Sequence, residues 1–203
     1  MMKYILIILI IGAVSGYLNN NFGSRVVGGF ISDYLLSFSL ILLIFVMGLS
    51  FGLDKEAIVK LKKAGLRIFI IPFSIALGSI LGGLVGGYIL SINIFGSMAV
   101  SAGFGWYTLA GPLVGQLFGL EFSALGFSVN FLRELLTILT IPFTTRIGKY
   151  VPIAFGGATS MDTTLPIIVQ YCGSEELITA FASGFILSLI APFTITTIAT
   201  LNR

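Results

Sequence analysis

Hydrophobic and polar positions alternate on a long scale in this chain: extended apolar runs are separated by short polar joints. Seven runs, at about 3–18, 32–53, 67–90, 97–118, 122–145, 152–172 and 177–201, are long enough or nearly so to be membrane helices. A hydrocarbon core of roughly 30 Å needs about 20 apolar residues in helical form. The first run has Lys3 ahead of it and Ser15-Gly16 behind it, the outline of a signal peptide. A first transmembrane helix is the expected reading, since the rest of the chain is membrane-bound and needs no removable signal. Asn19-Asn20-Asn21 with Arg25 then reads as an interfacial loop. In the third run Gly78, Gly82 and Gly86, with Gly83 and Gly87 beside them, predict a smooth face for close approach of another helix.

Two runs break the pattern. Residues 101–112 read Ser-Ala-Gly-Phe-Gly-Trp-Tyr-Thr-Leu-Ala-Gly-Pro, and residues 156–166 read Gly-Gly-Ala-Thr-Ser-Met-Asp-Thr-Thr-Leu-Pro. Each is glycine-rich, polar in its middle and closed by a proline, so neither favours an uninterrupted helix. Unwound backbone inside a membrane survives only where protein buries it or where it lines a wet cavity. A kink that eases packing would explain one such segment. Two together point to a transporter's binding site. The fold expected is an all-α integral membrane protein of about seven transmembrane segments forming one domain over 1–203, with the two segments interrupted or re-entrant.

Composition agrees. The 203 residues are 57% hydrophobic and 9% charged, against about 25% charged in soluble domains. The net charge of +3 does not indicate nucleic acid, because Lys55, Lys60, Lys62, Lys63 and Arg67 gather in one short loop. That loop is a topology signal and belongs in the cytoplasm. Arg146 and Lys149 then fall on the outer side if every run crosses fully, a conflict that a re-entrant segment would remove. With one cysteine, Cys172, and no histidine, the chain offers no intrachain disulfide, Cys-rich or His-based metal site, or Ser-His-Asp chemistry. No nucleotide-binding loop or intramembrane-protease motif is present. An enzyme is not expected, nor a cofactor, a metal or a nucleic-acid partner.

Asn130, Arg133 and Glu134 lie deep in the fifth run, and Asp162 lies in the second interrupted segment. A charge at the bilayer centre costs about 2.5–3.5 kcal/mol on insertion scales. Adjacent on a helix, Arg133 and Glu134 point about 100° apart and cannot neutralise each other side by side. One of them is expected to pair with Asp162. A structural ion pair leaves a third charge over, and leaves the hydroxyls of Thr159, Ser160, Thr163 and Thr164 unexplained. Glu121, Glu175 and Glu176 sit at run ends and read as solvated or capping residues. Asp54 and Glu56 share the basic loop, and Asp33 opens the second run, where an acid suits the helix dipole.

At these residues the sequence resembles the LysO-type lysine exporters of prokaryotic inner membranes. The resemblance is carried in order by Ser101-Ala-Gly-Phe-Gly-Trp-Tyr107, Asn130, Arg133-Glu134-Leu135, Gly157-Ala-Thr-Ser-Met-Asp162, Thr164-Leu-Pro166 and Gly184-Phe-Ile-Leu-Ser-Leu189. Gly48 before the charged loop also fits. It implies secondary active export of L-lysine and lysine analogues from the cytoplasm, coupled to proton entry. Family members with a further N-terminal membrane region suggest that this chain works with a small membrane partner subunit or as a homo-oligomer.

On that resemblance, Asp162 and Glu134 supply negative field for the substrate ammonium, and one of them exchanges a proton. Arg133 meets the substrate carboxylate or holds Asp162. Half-helix ends near Gly103, Gly105 and Gly156–Gly157 offer backbone groups, and Trp106 and Tyr107 cover the substrate stem or its ammonium. Asn130, Thr159, Ser160, Thr163 and Thr164 complete the candidate substrate-binding or proton-coupling set. The alternatives are a transporter of another small charged metabolite coupled to protons or sodium, and a membrane subunit active only with a partner chain.

Overall fold

The computed structural model describes residues 67–202 continuously and, ahead of them, only scattered residues between 11 and 59. The expected runs at 3–18 and 32–53 and the basic loop up to Lys63 fall where only those scattered residues are described, and the Asn19–Asn21 loop, Asp33 and Gly48 lie outside the described residues. So does the Arg67 side chain. The chain divides into two units, Met1–Leu49 and Ser50–Arg203, and the architecture below belongs to the second.

Among the described residues every regular element is helical. In chain order they are α1 (Arg67–Ile89), α2 (Ile94–Ser101), α3 (Tyr107–Phe118), α4 (Leu120–Ile147), α5 (Val151–Gly156), a 3-10 turn (Gly157–Met161), α6 (Leu165–Cys172), a short 3-10 turn (Ser174–Glu176) and α7 (Leu177–Leu201). The stretches Phe69–Ile89, Leu120–Ile147 and Ser174–Leu201 are long and apolar enough to cross a membrane. The expected runs at 67–90, 122–145 and 177–201 thus coincide with α1, α4 and α7. The runs at 97–118 and 152–172 are each two half-helices separated by unwound backbone, as the glycines predicted. The prolines behave differently from the expectation: Pro112 lies inside α3, and Pro166 opens α6, so the breaks fall at the glycine-rich stretches instead.

Local chemistry sets the boundaries. Asn93 caps α2 by accepting the Gly96 N–H at 2.8 Å. Gly119, at φ 101°, separates α3 from α4. Threonines inside the spans return their hydroxyls to the preceding turn: Thr137 to the Arg133 carbonyl at 2.7 Å, Thr145 to Ile141 at 2.8 Å and Thr194 to Ile190 at 2.8 Å. A hydroxyl satisfied in this way can sit in an apolar helix without a partner elsewhere.

α7 is the most enclosed long helix, with small residues such as Ala180, Ser183, Gly184 and Ala191 buried along it. Ile141, Ile153, Ile168, Cys172 and Ala180 form one core cluster that ties α4, α5, α6 and α7 together. The glycines of α1 divide by face. Gly83 and Gly87 take the close approach of α2, and the Ser97 hydroxyl bonds the Gly83 carbonyl at 2.7 Å. Among the described residues, nothing lies within 4 Å of a Cβ at Gly78, Gly82 or Gly86. The smooth packing face is therefore the Gly83–Gly87 row. The four-residue row singled out by spacing lies off the contact with α2, because that helix docks one residue further around the helix.

Outside the spans, Lys149 bridges to Glu175 at 2.6 Å between exposed side chains. That hydrogen bond raises the Lys149 pKa above the ordinary lysine value.

Candidate functional site

The two breaks meet. The Ala158 N–H donates to the Phe104 carbonyl at 2.7 Å, a backbone bond from the centre of one interrupted segment to the centre of the other. Such an approach needs bare backbone on both sides. Gly105, at φ 104°, lies so close that a Cβ there would sit 3.0 Å from the Gly156 carbonyl. A Cβ on Gly157, at φ 60°, would collide with the Phe104 carbonyl oxygen. Phe104 itself takes φ 53°, a left-handed conformation uncommon for a residue with a side chain. Both segments are thus bent to present the two peptide groups to each other.

α4 runs beside this crossing, and side chains one turn apart on it serve the two breaks. Asn130 is buried; its Oδ1 accepts the Gly105 N–H at 2.7 Å and its Nδ2 donates to the carbonyls of Val100 at 2.9 Å and Gly126 at 2.8 Å. Arg133 directs Nε to the Phe155 carbonyl at 2.8 Å, Nη2 to the Ala154 carbonyl at 2.8 Å and Nη1 to the Ser79 hydroxyl at 3.0 Å. Apart from Gly126, which is on α4 itself, the carbonyls so bonded belong to the last turns of α2 and α5, where a helix leaves acceptors open and favours positive charge. Arg133 also lines an apolar cavity of about 690 Å³ between α1, α4 and α5, with Ser74, Ser79 and Phe155 among its walls.

This corrects the expected pairing of Asp162 with a charge on α4. Arg133 binds carbonyls instead, and the acids gather on another face of the helix, as the 100° offset of neighbouring residues requires. Glu134 is half-buried. It lies beside the Thr163 hydroxyl and within electrostatic range of Asp162, and its Oε2 is buried without a hydrogen-bond partner. Asp162 is exposed, and its Oδ1 accepts the Thr163 N–H at 2.6 Å and faces the Thr163 hydroxyl at 3.4 Å. Tyr107 interacts electrostatically with both acids. Its ring stands edge-on to Phe127 at 5.4 Å and to Phe131 at 5.7 Å, and those two rings stack one helical turn apart at 5.9 Å.

The remaining predicted residues divide between the two sets. Thr159 and Thr164 hydroxyls share a contact at 3.2 Å, and Thr159 also donates to the Gly156 carbonyl at 2.9 Å. Ser160 donates to Gly157 at 2.7 Å and to Ala180 on α7 at 2.9 Å. All three are buried and tied to the second break. Gly103 is buried where a Cβ would strike Asn130. Trp106 is half-buried at the start of α3. The structure therefore brings Glu134, Asp162, Thr163 and Tyr107 into one acidic cluster. Asn130, Arg133, Thr159, Ser160 and Thr164 are engaged by protein groups. Sequence reasoning passed over Ser79, Phe127, Phe131 and the Phe104 carbonyl. The spacing of Phe127 and Phe131, i and i+4 on α4, was available as a signal for the aromatic seat; the backbone contacts carried none.

Comparison with known proteins bears on this arrangement. The family model described as "Lysine exporter LysO" matches residues 6–199. The chain belongs to the LysO lysine exporter family. It is 35% identical over 161 residues to "Lysine exporter LysO" of Escherichia coli (strain K12), an alignment covering 78% of this chain and 52% of that one. It is 32% identical over 156 residues to "Putative lysine exporter" of Haemophilus influenzae, covering 75% of this chain and 78% of the relative. The chain thus spans about half the length of its Escherichia coli relative. No solved structure matches it. Membership and the apolar helices together make this a multi-pass membrane protein of a transporter family.

Proposed function

We propose that this chain is the substrate-handling part of a secondary active transporter that exports L-lysine and lysine analogues from the cytoplasm, coupled to proton entry, in a prokaryotic inner membrane. The observation that carries the reading is the acidic cluster beside the helix crossing. Glu134 and Asp162 both lie against Thr163 and within electrostatic range of each other, and one Glu134 carboxylate oxygen is buried and unpaired. An unpaired acid in a membrane interior is costly, and a bound cation or proton removes that cost. A substrate ammonium and a proton are the two cations an antiporter exchanges, and two neighbouring carboxylates can hold them in turn. Asp162, with Thr163 donors on its Oδ1, is suited to remain charged for the ammonium, and Glu134 to take the proton. Tyr107 lies where its ring and hydroxyl would flank a bound amine. Names given to the relatives direct the choice of lysine among cationic amino acids.

The working unit on this reading includes a small membrane partner subunit or further copies of the chain, for which the Gly78–Gly82–Gly86 row of α1, clear of the described residues, is a suitable contact. The second reading is export of another small cationic metabolite, with protons or sodium as the coupling ion; the same unpaired acids favour it equally. The test is flux of radiolabelled lysine in proteoliposomes with and without an imposed pH gradient. Saturable, gradient-dependent flux supports the proposal. Flux that depends only on sodium, or competition by another amine but not by lysine, selects the second reading. Absence of any flux in the presence of its membrane partners rejects both.

A further inference from the structure

We infer that Asn130 and Arg133 are positioning residues that hold the two helix breaks in register, and that Arg133 does not take the substrate carboxylate. For site geometry the inference rests on the transport reading, but its structural core does not. Each break leaves carbonyls at the end of a half-helix and N–H groups in the unwound stretch, and neither can be left unpaired inside a membrane. Asn130 meets one of each at the first break: the Val100 carbonyl at 2.9 Å and the Gly105 N–H at 2.7 Å. An amide is the side chain suited to this, since it carries a donor and an acceptor on one planar group.

Arg133 meets two consecutive carbonyls, Ala154 and Phe155, both at 2.8 Å, at the end of α5. A planar fork with several fixed donors spans neighbouring acceptors, which a lysine ammonium cannot do in the same way. Its third bond, to Ser79 at 3.0 Å, fixes α1 to the same point. The guanidinium carbon would lie 3.1 Å from a Cβ at Gly157, directly beneath the residue whose neighbour bonds Phe104. Asn130 and Arg133 are three residues apart and so lie on adjoining positions of one helix surface. α4 therefore acts as a template: its spacing sets the distance between the breaks, and Glu134, on the next face, is placed beside Asp162 as a consequence. Three of the five guanidinium N–H groups of Arg133 are thus held by protein acceptors, two of them backbone carbonyls at the end of α5.

Trp106 is the only tryptophan in the chain and follows Gly105 directly, so its emission reports on the crossing without any label. Arg133→Gln, Arg133→Lys and Asn130→Ala are compared with the wild type in lipid nanodiscs, each first checked for helicity by circular dichroism and for a monodisperse profile. The expected result is a shifted Trp106 emission maximum and altered quenching by acrylamide in all three variants, in the absence of substrate. Folded variants whose Trp106 signals match the wild type overturn the inference. A variant that does not fold is replaced by Ser79→Ala, which removes one Arg133 partner and is expected to give the same shift in smaller degree.

Transport supplies the second measurement, by competition between lysine and lysinamide, which lacks the carboxylate. A positioning role lowers the maximal rate in Arg133→Gln and leaves the preference for lysine over lysinamide unchanged. Loss of that preference in Arg133→Gln alone makes Arg133 a substrate ligand and overturns the second half of the inference. If the wild type moves no lysine, the transport reading fails while the Trp106 comparison still decides the structural claim.

Discussion

Replacing Gly157 by alanine adds one methyl group at the point where the two broken segments touch. The backbone there sits at φ 60° and ψ −123°, a combination that glycine adopts freely and L-residues rarely. Holding a non-glycine residue in such a region costs about 1–3 kcal/mol. The new Cβ also falls on the Phe104 carbonyl oxygen, the acceptor of the Ala158 N–H. Displacing that oxygen leaves a buried donor unpaired, at a further cost of about 1–3 kcal/mol. The sum is about 2–6 kcal/mol, with little room for relief because the Arg133 guanidinium closes the other side at 3.1 Å. Gly82→Ala on α1 is the control: none of the described residues lies within 4 Å of the added methyl, and helix propensity favours alanine by up to about 1 kcal/mol. Thermal unfolding in nanodiscs, followed by Trp106 emission, is expected to show a clear fall in midpoint for Gly157→Ala and none for Gly82→Ala. Equal midpoints for the two variants, with native Trp106 emission in both, would refute the crossing geometry.

Four further outcomes follow from the same structure. Asp162→Asn and Glu134→Gln are each expected to abolish lysine flux while the protein stays folded; full activity in either removes that carboxylate from the site. Tyr107→Phe keeps the aromatic seat on Phe127 and Phe131 but removes the hydroxyl, and is expected to lower the apparent lysine affinity by about 10- to 150-fold, the size of one hydrogen bond to a charged group. Lys149→Gln breaks only an exposed ion pair and is expected to leave the unfolding midpoint unchanged at neutral pH, because solvated pairs contribute little. Since the Lys149 pKa is raised, whatever the pair contributes is present at neutral pH and is lost only as pH rises through that raised value, which a midpoint series to alkaline pH checks. Cys172, the only cysteine, is buried against Ile141, Ile153, Ile168 and Ala180, so maleimide labelling is expected only after denaturation.

The sequence by itself determined that the runs at 67–90, 122–145 and 177–201 are long apolar helices, because twenty apolar residues in a row leave the backbone no stable alternative in lipid. It also located both helix breaks, since runs containing Gly103 and Gly105 or Gly156 and Gly157 cannot hold a continuous helix well. The divergence of Arg133 from Glu134 was equally legible, being a property of one helix. Tertiary structure decided the rest. Whether Arg133 met Asp162 or a carbonyl depended on which helix end came to lie against α4, since a half-helix terminus also attracts a guanidinium. The choice between the two glycine rows of α1 depended on where α2 docked. The bond between Phe104 and Ala158 joins two backbone groups, and backbone groups are the same in every residue. No side-chain pattern can announce which of them will meet, so the crossing that organises the site became visible only in three dimensions.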